Sequence, residues 1–378
     1  MSLIVDEHRQ YLADQVRVEA FRKAVEEVLC PGDVVLDLGS GTGILGLLAC
    51  RAGACRVYSI EFGGMIELAR EISKANGFAG RQIFIKGHSM RVELPEQVDL
   101  VVSDQIGRFG FEAGVVGYFR DAKKRFLKPG GRMIPMRIHQ WIALVESPEN
   151  WKQVEFWSNS ATGFDLRPAR AIAANTGYPV TLQPEQLLSQ PARAISLDLN
   201  SFDSDSWVLE DTLEAARAGT LHGIGGWFSA ELSASVSMTN SPLAGQRIDR
   251  RNVFLPIDRA VELRAGDAVH VQMHVIPSEM LLTWKVRISR SGSELARFAH
   301  STMRGFLMTQ EDLRRTLPDS VPKLNPWGEG RRTVLELCDG IRPLADIEQE
   351  LRRRHPDLFP SLKEAAVFVA EVVTRYSV

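Results

Sequence analysis

The N-terminal part of the chain has a helical pattern of apolar and polar positions. Between residues 6 and 29, apolar side chains recur at three- and four-residue steps, which places them on one face of an α-helix. These residues are Tyr11, Leu12, Val16, Phe21, Val25 and Val28. Pro31 and Gly32 end the pattern, so we predict one helix up to about residue 29.

Short apolar runs then alternate with amphipathic segments as far as residue 134. The runs "DVVLDLG", "RVYSIE", "QIFIKG" and "VDLVVSD" have the length and composition of buried strands. The segments "GILGLLACRAG" and "MIELAREISKANG" have helical spacing. Strands that alternate with helices predict a parallel sheet with helices on both faces.

The pattern changes after Pro135 and again near residue 309. "RIHQWIALVES" is strand-like, the segment 150–190 is predicted to be helical, and from about residue 205 strand-like runs alternate with turns. This arrangement predicts an antiparallel barrel or sandwich. The Pro-rich segment "PDSVPKLNPWGEG" marks a boundary before a helical C-terminus, so we predict the domains 1–134, 135–308 and 309–378.

Composition and charge argue against several classes of function. Of the 378 residues, 44% are apolar and 24% are charged, and the net charge of -2 offers no basic field for nucleic acid. No apolar run reaches the roughly 20 residues of a membrane span. The four cysteines form no CxxC pair. We therefore expect reduced thiols, a cytoplasmic location, and neither a metal site nor a nucleic-acid or membrane partner.

The segment "VVLDLGSGTGILG" carries the first candidate chemistry. Gly39, Gly41 and Gly43 join a strand to a helix, where backbone amides can approach a ligand closely. Dinucleotide enzymes use similar loops, and such glycines can also serve strand–helix packing alone. Asp37 disfavours a pyrophosphate and suits a cationic ligand, while Glu61 can accept both hydroxyls of a ribose. We therefore favour S-adenosylmethionine over a nicotinamide dinucleotide.

This segment resembles the first motif of protein arginine methyltransferases. The resemblance runs from about residue 8 to 290 and includes "HRQYLADQVRVEAFRKAV", "GFEAGVVGYFRDAKKRFLKPGGRMIP", "LHGIGGWF" and "NSP". It implies a Rossmann-like class I methyltransferase domain, followed by an antiparallel β-barrel with a helical dimerisation arm around "GFDLRPARA". It also implies a homodimer, S-adenosylmethionine as cofactor and S-adenosylhomocysteine as product.

The resemblance assigns cofactor contacts to individual positions. His8, Asp14 and Arg17 match the family's cofactor-covering helix, and Arg17 would hold the methionine carboxylate. Met90 aligns with the family's usual glutamate at the adenine edge. The full predicted set is His8, Asp14, Arg17, Asp37, Gly39, Gly41, Gly43, Ile44, Leu45, Glu61, Phe62, Gly87, His88, Ser89, Met90 and Ser103.

Two carboxylates flank the loop "SDQIGRFGFE" after the fourth strand. By the resemblance, this is the double-glutamate loop that clamps the substrate guanidinium, so Asp104 and Glu112 are the predicted catalytic residues. Carboxylates are well suited to a planar cation with five donors. Asp104 is one methylene shorter than the family's glutamate, and the loop is one residue shorter than the family pattern.

A second departure lies in the barrel. The family carries Thr-His-Trp after "SP", where the histidine supports the first acid, and the aligned residues here are Arg247, Ile248 and Asp249. We therefore expect that support to be absent. The acceptor stays open: an arginine or another basic nitrogen of a peptide or protein, or alternatively a small metabolite methylated on nitrogen or oxygen. A non-catalytic peptide-binding scaffold is a third hypothesis.

The C-terminal segment resembles the helical part of PqqD-like domains, most specifically in "LELCDGIRPLADIEQEL". Such domains bind leader segments of ribosomally made peptides, so the resemblance implies peptide recognition. The alternative is an amphipathic helical bundle that acts as a stability or oligomer cap. Its predicted core is Leu335, Leu337, Ile347, Leu351, Val367, Phe368 and Val372.

Overall fold

A five-stranded parallel sheet lies in the first part of the computed structural model, which describes residues 4–158, 162–307 and 309–377. Its strands are β1 (Val34–Leu38), β2 (Arg56–Glu61), β3 (Gln82–Lys86), β4 (Val98–Val102) and β5 (Leu127–Ile134). The strand order is β3-β2-β1-β4-β5. The winding therefore reverses between β1 and β4, where open parallel sheets bind ligands beyond the carboxyl ends of their strands. The predicted parallel α/β domain is confirmed.

Five helices accompany this sheet: α1 (Ile4–Ala13), α2 (Gln15–Val28), α3 (Ile44–Ala52), α4 (Met65–Ala75) and α5 (Val115–Arg125). The prediction of one continuous helix over residues 6–29 is wrong, because the helix is interrupted at Asp14. The side chain of Asp14 accepts a hydrogen bond from the backbone N of Arg17 at 3.1 Å and thereby caps α2.

The next part of the chain forms two antiparallel sheets. Its strands are β6 (Arg137–Val145), β7 (Tyr178–Val180), β8 (Ala192–Asp198), β9 (Trp207–Glu214), β10 (Gly219–Glu231), β11 (Ser237–Thr239), β12 (Asn252–Leu263), β13 (Ala268–Ile276), β14 (Leu281–Arg290) and β15 (Ser293–Ser301). One sheet has the order β7-β12-β10-β6-β8 with β11 on β10, and the other has the order β15-β14-β13-β9. The predicted antiparallel β region is confirmed. Helices α6 (Pro148–Glu155) and α7 (Arg167–Ala173) lie in the segment predicted to be helical.

The chain divides into two compact units, Met1–Leu307 and Met308–Val378. The second unit contains α8 (Gln310–Arg315), α9 (Pro326–Leu337), α10 (Leu344–Arg354) and α11 (Leu362–Tyr376). Its predicted core is wrong at Leu335 and Val367, which are 42% and 66% exposed. The buried side chains of α11 are those of Ala365, Val369 and Val372, which lie on another face of the helix.

Candidate active site

The glycine loop between β1 and α3 is closely covered by other parts of the chain. Gly39, Gly41 and Gly43 have φ values of +72°, +51° and +76°, a region that favours glycine. A Cβ on Gly41 would lie 2.4 Å from Cε1 of His8, so this imidazole on α1 lies directly against the loop. A Cβ on Gly39 would collide with the side chain of Gln105. We call this glycine loop, residues 39–43, the cradle; α1 and the loop after β4 cover it.

Asp37 is fully buried near the end of β1, just before the cradle. Its Oδ2 accepts a hydrogen bond from the backbone N of Gly46 at 3.0 Å. Its Oδ1 is buried and has no hydrogen-bond partner among the described residues. Burial raises the pKa of Asp37 to about 7. A cationic group beside Oδ1 would satisfy this atom and favour the ionised carboxylate.

Glu61 at the end of β2 is bound to the cradle through backbone amides. Its Oε2 accepts from the N of Gly41 at 2.9 Å, and its Oε1 accepts from the N of Gly63 at 2.7 Å. Each carboxylate oxygen can accept a further hydrogen bond. Glu61 therefore lies beside the glycine loop with acceptor capacity for two neighbouring hydroxyls.

The predicted adenine edge is rich in rings. The imidazole of His88 lies 6.1 Å from the ring of Phe62 and 6.0 Å from the ring of Tyr118, measured between centroids. The backbone N of Gly87 donates to the carbonyl O of Glu61 at 3.0 Å, which ties this segment to β2. Met90 is 45% exposed and offers no carboxylate at the position of the family's glutamate.

Other members of the predicted cofactor set have structural contacts. The Oγ of Ser103 donates to the carbonyl O of Leu38 at 2.7 Å, and the carbonyl O of Ser89 accepts from Arg125 at 2.5 Å. Ile44 and Leu45 begin α3. The second carboxylate oxygen of Asp14 accepts from the backbone N of Asp249 at 2.8 Å. Asp14 therefore links α2 to the segment before β12, in addition to capping the helix.

The first predicted catalytic acid, Asp104, is held by two arginines. The Nε of Arg17 on α2 and the Nη2 of Arg250, the latter at 2.9 Å, both donate to its Oδ2. The side chain is 8% exposed, and its Oδ1 is buried without a hydrogen-bond partner among the described residues. Burial alone would raise the pKa of Asp104, but the guanidiniums of Arg250 and Arg17 outweigh it, and the pKa lies below its ordinary value.

The second acid, Glu112, folds back on its own loop. Both of its carboxylate oxygens accept from the backbone N of Phe109, at 3.0 and 2.9 Å. The loop itself is fixed by the antiparallel region: Gln140 donates to the carbonyl O of Phe109 and Asn240 to that of Arg108, both at 2.8 Å. Two side chains of the antiparallel region thus set the path of this loop, residues 103–112, which we call the acid loop.

A cleft of about 1190 Å³ lies beside this loop. Its lining includes Glu112, His88, Met90 and Tyr118, together with Phe202 from the antiparallel region. The cleft therefore brings the second acid and the predicted adenine edge to one space. Its volume is slightly above the roughly 300–1,000 Å³ of typical small-molecule pockets.

Sequence reasoning missed four residues that shape the acid loop: Gln105, Gln140, Asn240 and Arg250. Gln105 has no role in the sequence-based prediction, yet its side chain lies against Gly39. The other three lie far away in the chain, between 31 and 146 residues from their partners in the loop. No local spacing in the sequence links them to it. The contacts of Asp104 and Glu112 with the chain do not test their predicted catalytic roles, which stay predictions.

Family models match two overlapping parts of the chain. Residues 29–176 match a methyltransferase domain. Residues 138–285 match the arginine methyltransferase oligomerization subdomain.

Curated relatives and solved structures agree with these matches. Protein arginine N-methyltransferase 6 of Xenopus tropicalis is 30% identical over 73% of this chain and 85% of its own length. Probable protein arginine N-methyltransferase 6 of Arabidopsis thaliana is 28% identical, and the aligned region spans only 55% of that protein. The structure of the Trypanosoma brucei PRMT1 enzyme-prozyme heterotetrameric complex with AdoHcy has the same fold, with a TM-score of 0.70 and 24% identity over 78% of this chain and 97% of that one.

Proposed function

The chain belongs to the protein arginine N-methyltransferase family and is an S-adenosylmethionine-dependent methyltransferase, and on this premise we propose that it methylates a basic nitrogen of a peptide or protein. An arginine guanidinium is the acceptor that best fits the family. The observation that carries the proposal is the position of the acid loop: it contacts the glycine cradle through Gln105 and carries two carboxylates, Asp104 and Glu112.

The residues in and beside the cradle fit S-adenosylmethionine. The Oδ1 of Asp37, which has no hydrogen-bond partner among the described residues, suits a cationic amine, and Glu61 has acceptor capacity for the ribose hydroxyls. Arg17 uses two of its five N–H donors on Asp104 and on the carbonyl O of Tyr11, so others can hold a carboxylate. When bound, the cofactor supplies a methyl group activated on sulfur. His8 lies against the glycine loop and would cover the bound molecule.

The acid loop would position the acceptor. A carboxylate that accepts an N–H directs the nitrogen lone pair, and correct alignment can be worth effective molarities on the order of 10⁵ M. Glu112 lines the cleft and would bind the acceptor and take up its proton after transfer. Asp104 would accept a second N–H through the Oδ1 that has no partner within the described chain.

Two measurements test this proposal in order. Isothermal titration calorimetry should detect binding of S-adenosylmethionine, and a protein that binds none would disprove the cofactor site. Mass spectrometry after incubation with methyl-labelled cofactor and a peptide that contains one arginine should show a mass increase on the arginine. A label that appears only on small molecules of a cell extract would disprove the peptide acceptor.

A second candidate acceptor is a small metabolite methylated on nitrogen or oxygen. It is favoured by one observation: Arg17 and Arg250 already pair with Asp104. A cationic acceptor would therefore be attracted less strongly here than by two acids without arginine partners. The substitution Asp104→Asn distinguishes the candidates. An uncharged acceptor should tolerate the loss of this charge, whereas a guanidinium acceptor should not.

We propose that the two antiparallel sheets form a β-barrel and that the chain forms a homodimer through its helical arm, at about residues 150–190. The match of residues 138–285 to an oligomerization subdomain supports this, as do Phe156 and Phe164, which are 48% and 74% exposed. Part of the arm, residues 159–161, lies outside the described residues. Analytical ultracentrifugation should give a mass of two chains.

The C-terminal unit is proposed to recognise a peptide, as its PqqD-like resemblance implies. The support is a helical bundle with its own core around Val334, Leu351 and Val369. Removal of residues 309–378 should then weaken methylation of a long precursor peptide more than that of a short one. Equal loss on both would favour a stabilising role.

A cytoplasmic location also stays a proposal. It is supported by the free thiols of all four cysteines. Within the described residues, no helix is long and apolar enough to cross a membrane.

A further inference from the structure

Arg250, in the segment before β12, contacts the acid loop, although the sequence assigned no role to it. Its Nη2 donates to Oδ2 of Asp104 at 2.9 Å, and its Nη1 donates to the carbonyl O of Gly107 at 3.2 Å. Its guanidinium lies 5.8 Å from the ring centroid of Phe228, and its side chain is 13% exposed. Contacts with an acid, a carbonyl and a ring therefore fix this side chain in one place.

The two oxygens of Asp104 have different surroundings as a result. Oδ2 accepts from Arg250 and from Arg17. Oδ1 is buried and accepts from no group in the described part of the chain. A buried carboxylate oxygen without a donor is costly, so Oδ1 is the atom that an incoming N–H would satisfy.

We propose that Arg250 is a positioning residue for methyl transfer, which holds Asp104 ionised through Oδ2 and so presents Oδ1 to an N–H of the acceptor. This inference rests on the proposed function. Arg250 would thereby support the first acid, as a barrel histidine does in the family. In this chain Ile248 stands at the position of that histidine. Arg250 lies two residues further along the chain than that aligned position.

Because arginine takes the place of histidine, the support of Asp104 should depend little on pH. Histidine loses its charge near pH 6.5, whereas arginine stays charged across the working range of proteins. The charged groups that face Asp104 are Arg17 from α2 and Arg250 from the segment before β12, and Glu112 and Tyr11 act on Arg250 in turn. Because both partners of Asp104 are arginines, this support should not weaken between pH 6 and pH 8.

The opposite hypothesis is that Arg250 occupies the acceptor's own place as an internal guanidinium. The two hypotheses predict opposite effects of Arg250→Met, a variant that removes the charge and keeps most of the length. Loss of a positioning residue lowers turnover. Loss of an internal competitor raises turnover or lowers the KM for the acceptor.

The first test measures the carboxyl group itself and needs no acceptor. The ¹³C shift of the Asp104 carboxyl, identified by its disappearance in Asp104→Asn, is followed against pH in the full-length protein. Arg250→Met should raise the pKa of Asp104 by at least one unit, and Arg250→Lys should raise it less. The control Arg251→Met removes an exposed arginine one residue further on and should leave the pKa unchanged. An unchanged pKa in Arg250→Met overturns the proposal.

The second test measures turnover on a peptide with one arginine. Arg250→Met should lower kcat at least tenfold, Arg250→Lys should restore part of it, and the Kd for S-adenosylmethionine should stay within twofold of wild type. Equal or faster turnover in Arg250→Met overturns the proposal. If the wild type does not methylate the peptide, the proposed acceptor is wrong, while the titration still decides the role of Arg250. If Arg250→Met does not fold, Arg250→Lys carries both measurements.

Discussion

The cradle and the acid loop lie at neighbouring strand ends but depend on very different stretches of chain. At the cradle, Glu61 accepts from Gly41, only 20 residues away. In the acid loop, Asp104 depends on Arg17, 87 residues earlier, and on Arg250, 146 residues later. One contiguous motif is therefore enough to recognise the proposed cofactor site. The charges around Asp104, in contrast, come together only when the parallel-sheet domain and the antiparallel region have folded against each other.

This difference matters for the proposed function, in which the two sites have different tasks. The cradle would determine whether the methyl donor binds, and its residues lie in one segment. The acid loop would determine which nitrogen is methylated, and its charge is the sum of groups from three distant segments. We therefore expect substitutions in the cradle to change cofactor affinity, and those in the acid loop to change turnover or stability with little change in cofactor affinity.

The largest expected effect is a loss of turnover in Glu112→Gln without a change in cofactor affinity. Glu112→Gln keeps an acceptor for the backbone N of Phe109 but removes the negative charge. Loss of a group that positions the acceptor and takes its proton should lower kcat about 100-fold or more. Calorimetry should give an unchanged Kd for S-adenosylmethionine. The exposed Glu93→Gln is the matched control, and an unaltered kcat in Glu112→Gln would remove this acid from the mechanism.

The next effect concerns stability. Asp104→Asn leaves two guanidiniums buried without their counter-charge, and breaking a buried pair in this way costs about 3 kcal/mol or more. Urea unfolding at pH 7 measures the change in the free energy of unfolding. Asp205→Asn, whose partner Arg120 is on the surface, should change it by less than about 1 kcal/mol. Similar values for both variants would show that the Asp104 cluster is not a buried ion pair in solution.

The same cluster predicts a dependence on pH. The pKa of Asp104 is lowered from 3.8 in the folded protein. The unfolded chain therefore binds the proton more readily, and this contribution to stability is present above about pH 3.8 and is lost as the pH falls through the folded pKa. Unfolding of the wild type should show this loss at acidic pH. Asp104→Asn should lack it.

Much of the fold was predictable because it depends on local patterns. The alternation of apolar runs and helical segments gave the parallel sheet, and glycine spacing gave the cradle. The break at Asp14 also had a local signal, since Asp is a common N-cap, but the continuous apolar pattern outweighed it. In α11, Val367 was placed in the core because it is apolar, although the helical period assigns its neighbours Ala365 and Val369 to the buried face.

The acid loop was predictable only in part. The two acids and their resemblance to a known loop could be read from residues 103–112. Arg250 could not, because its partner lies 146 residues away and nothing local marks it. Arg247, Ile248 and Asp249 occupy the positions of the family's triplet. Of these, Asp249 contacts Asp14 through its backbone N.

Gly41→Ala tests the cradle with a smaller expected effect. The new Cβ would lie 2.4 Å from His8 and would force α1 away from the loop, so the Kd for S-adenosylmethionine should rise about tenfold. Gly77→Ala is the matched control, because Gly77 has a positive φ of +76° and its added Cβ would meet no atom of the described residues within 4 Å. Equal affinities in the two variants would show that His8 does not cover the cofactor site.

The smallest expected effect is a pH dependence of cofactor affinity. Because burial raises the pKa of Asp37 to about 7, this carboxyl is mostly neutral at pH 6 and mostly ionised at pH 8. A cationic amine is attracted only by the ionised form, whose fraction rises about tenfold over this range, so the Kd for S-adenosylmethionine should be lower at pH 8 than at pH 6, by at most about tenfold. His8 and the cofactor amine also titrate, and Asp37→Asn isolates the contribution of Asp37, since every other group is retained. If the variant shows the same slope as the wild type, the amine does not lie beside Asp37, and the carboxyl instead serves the start of α3 through Gly46.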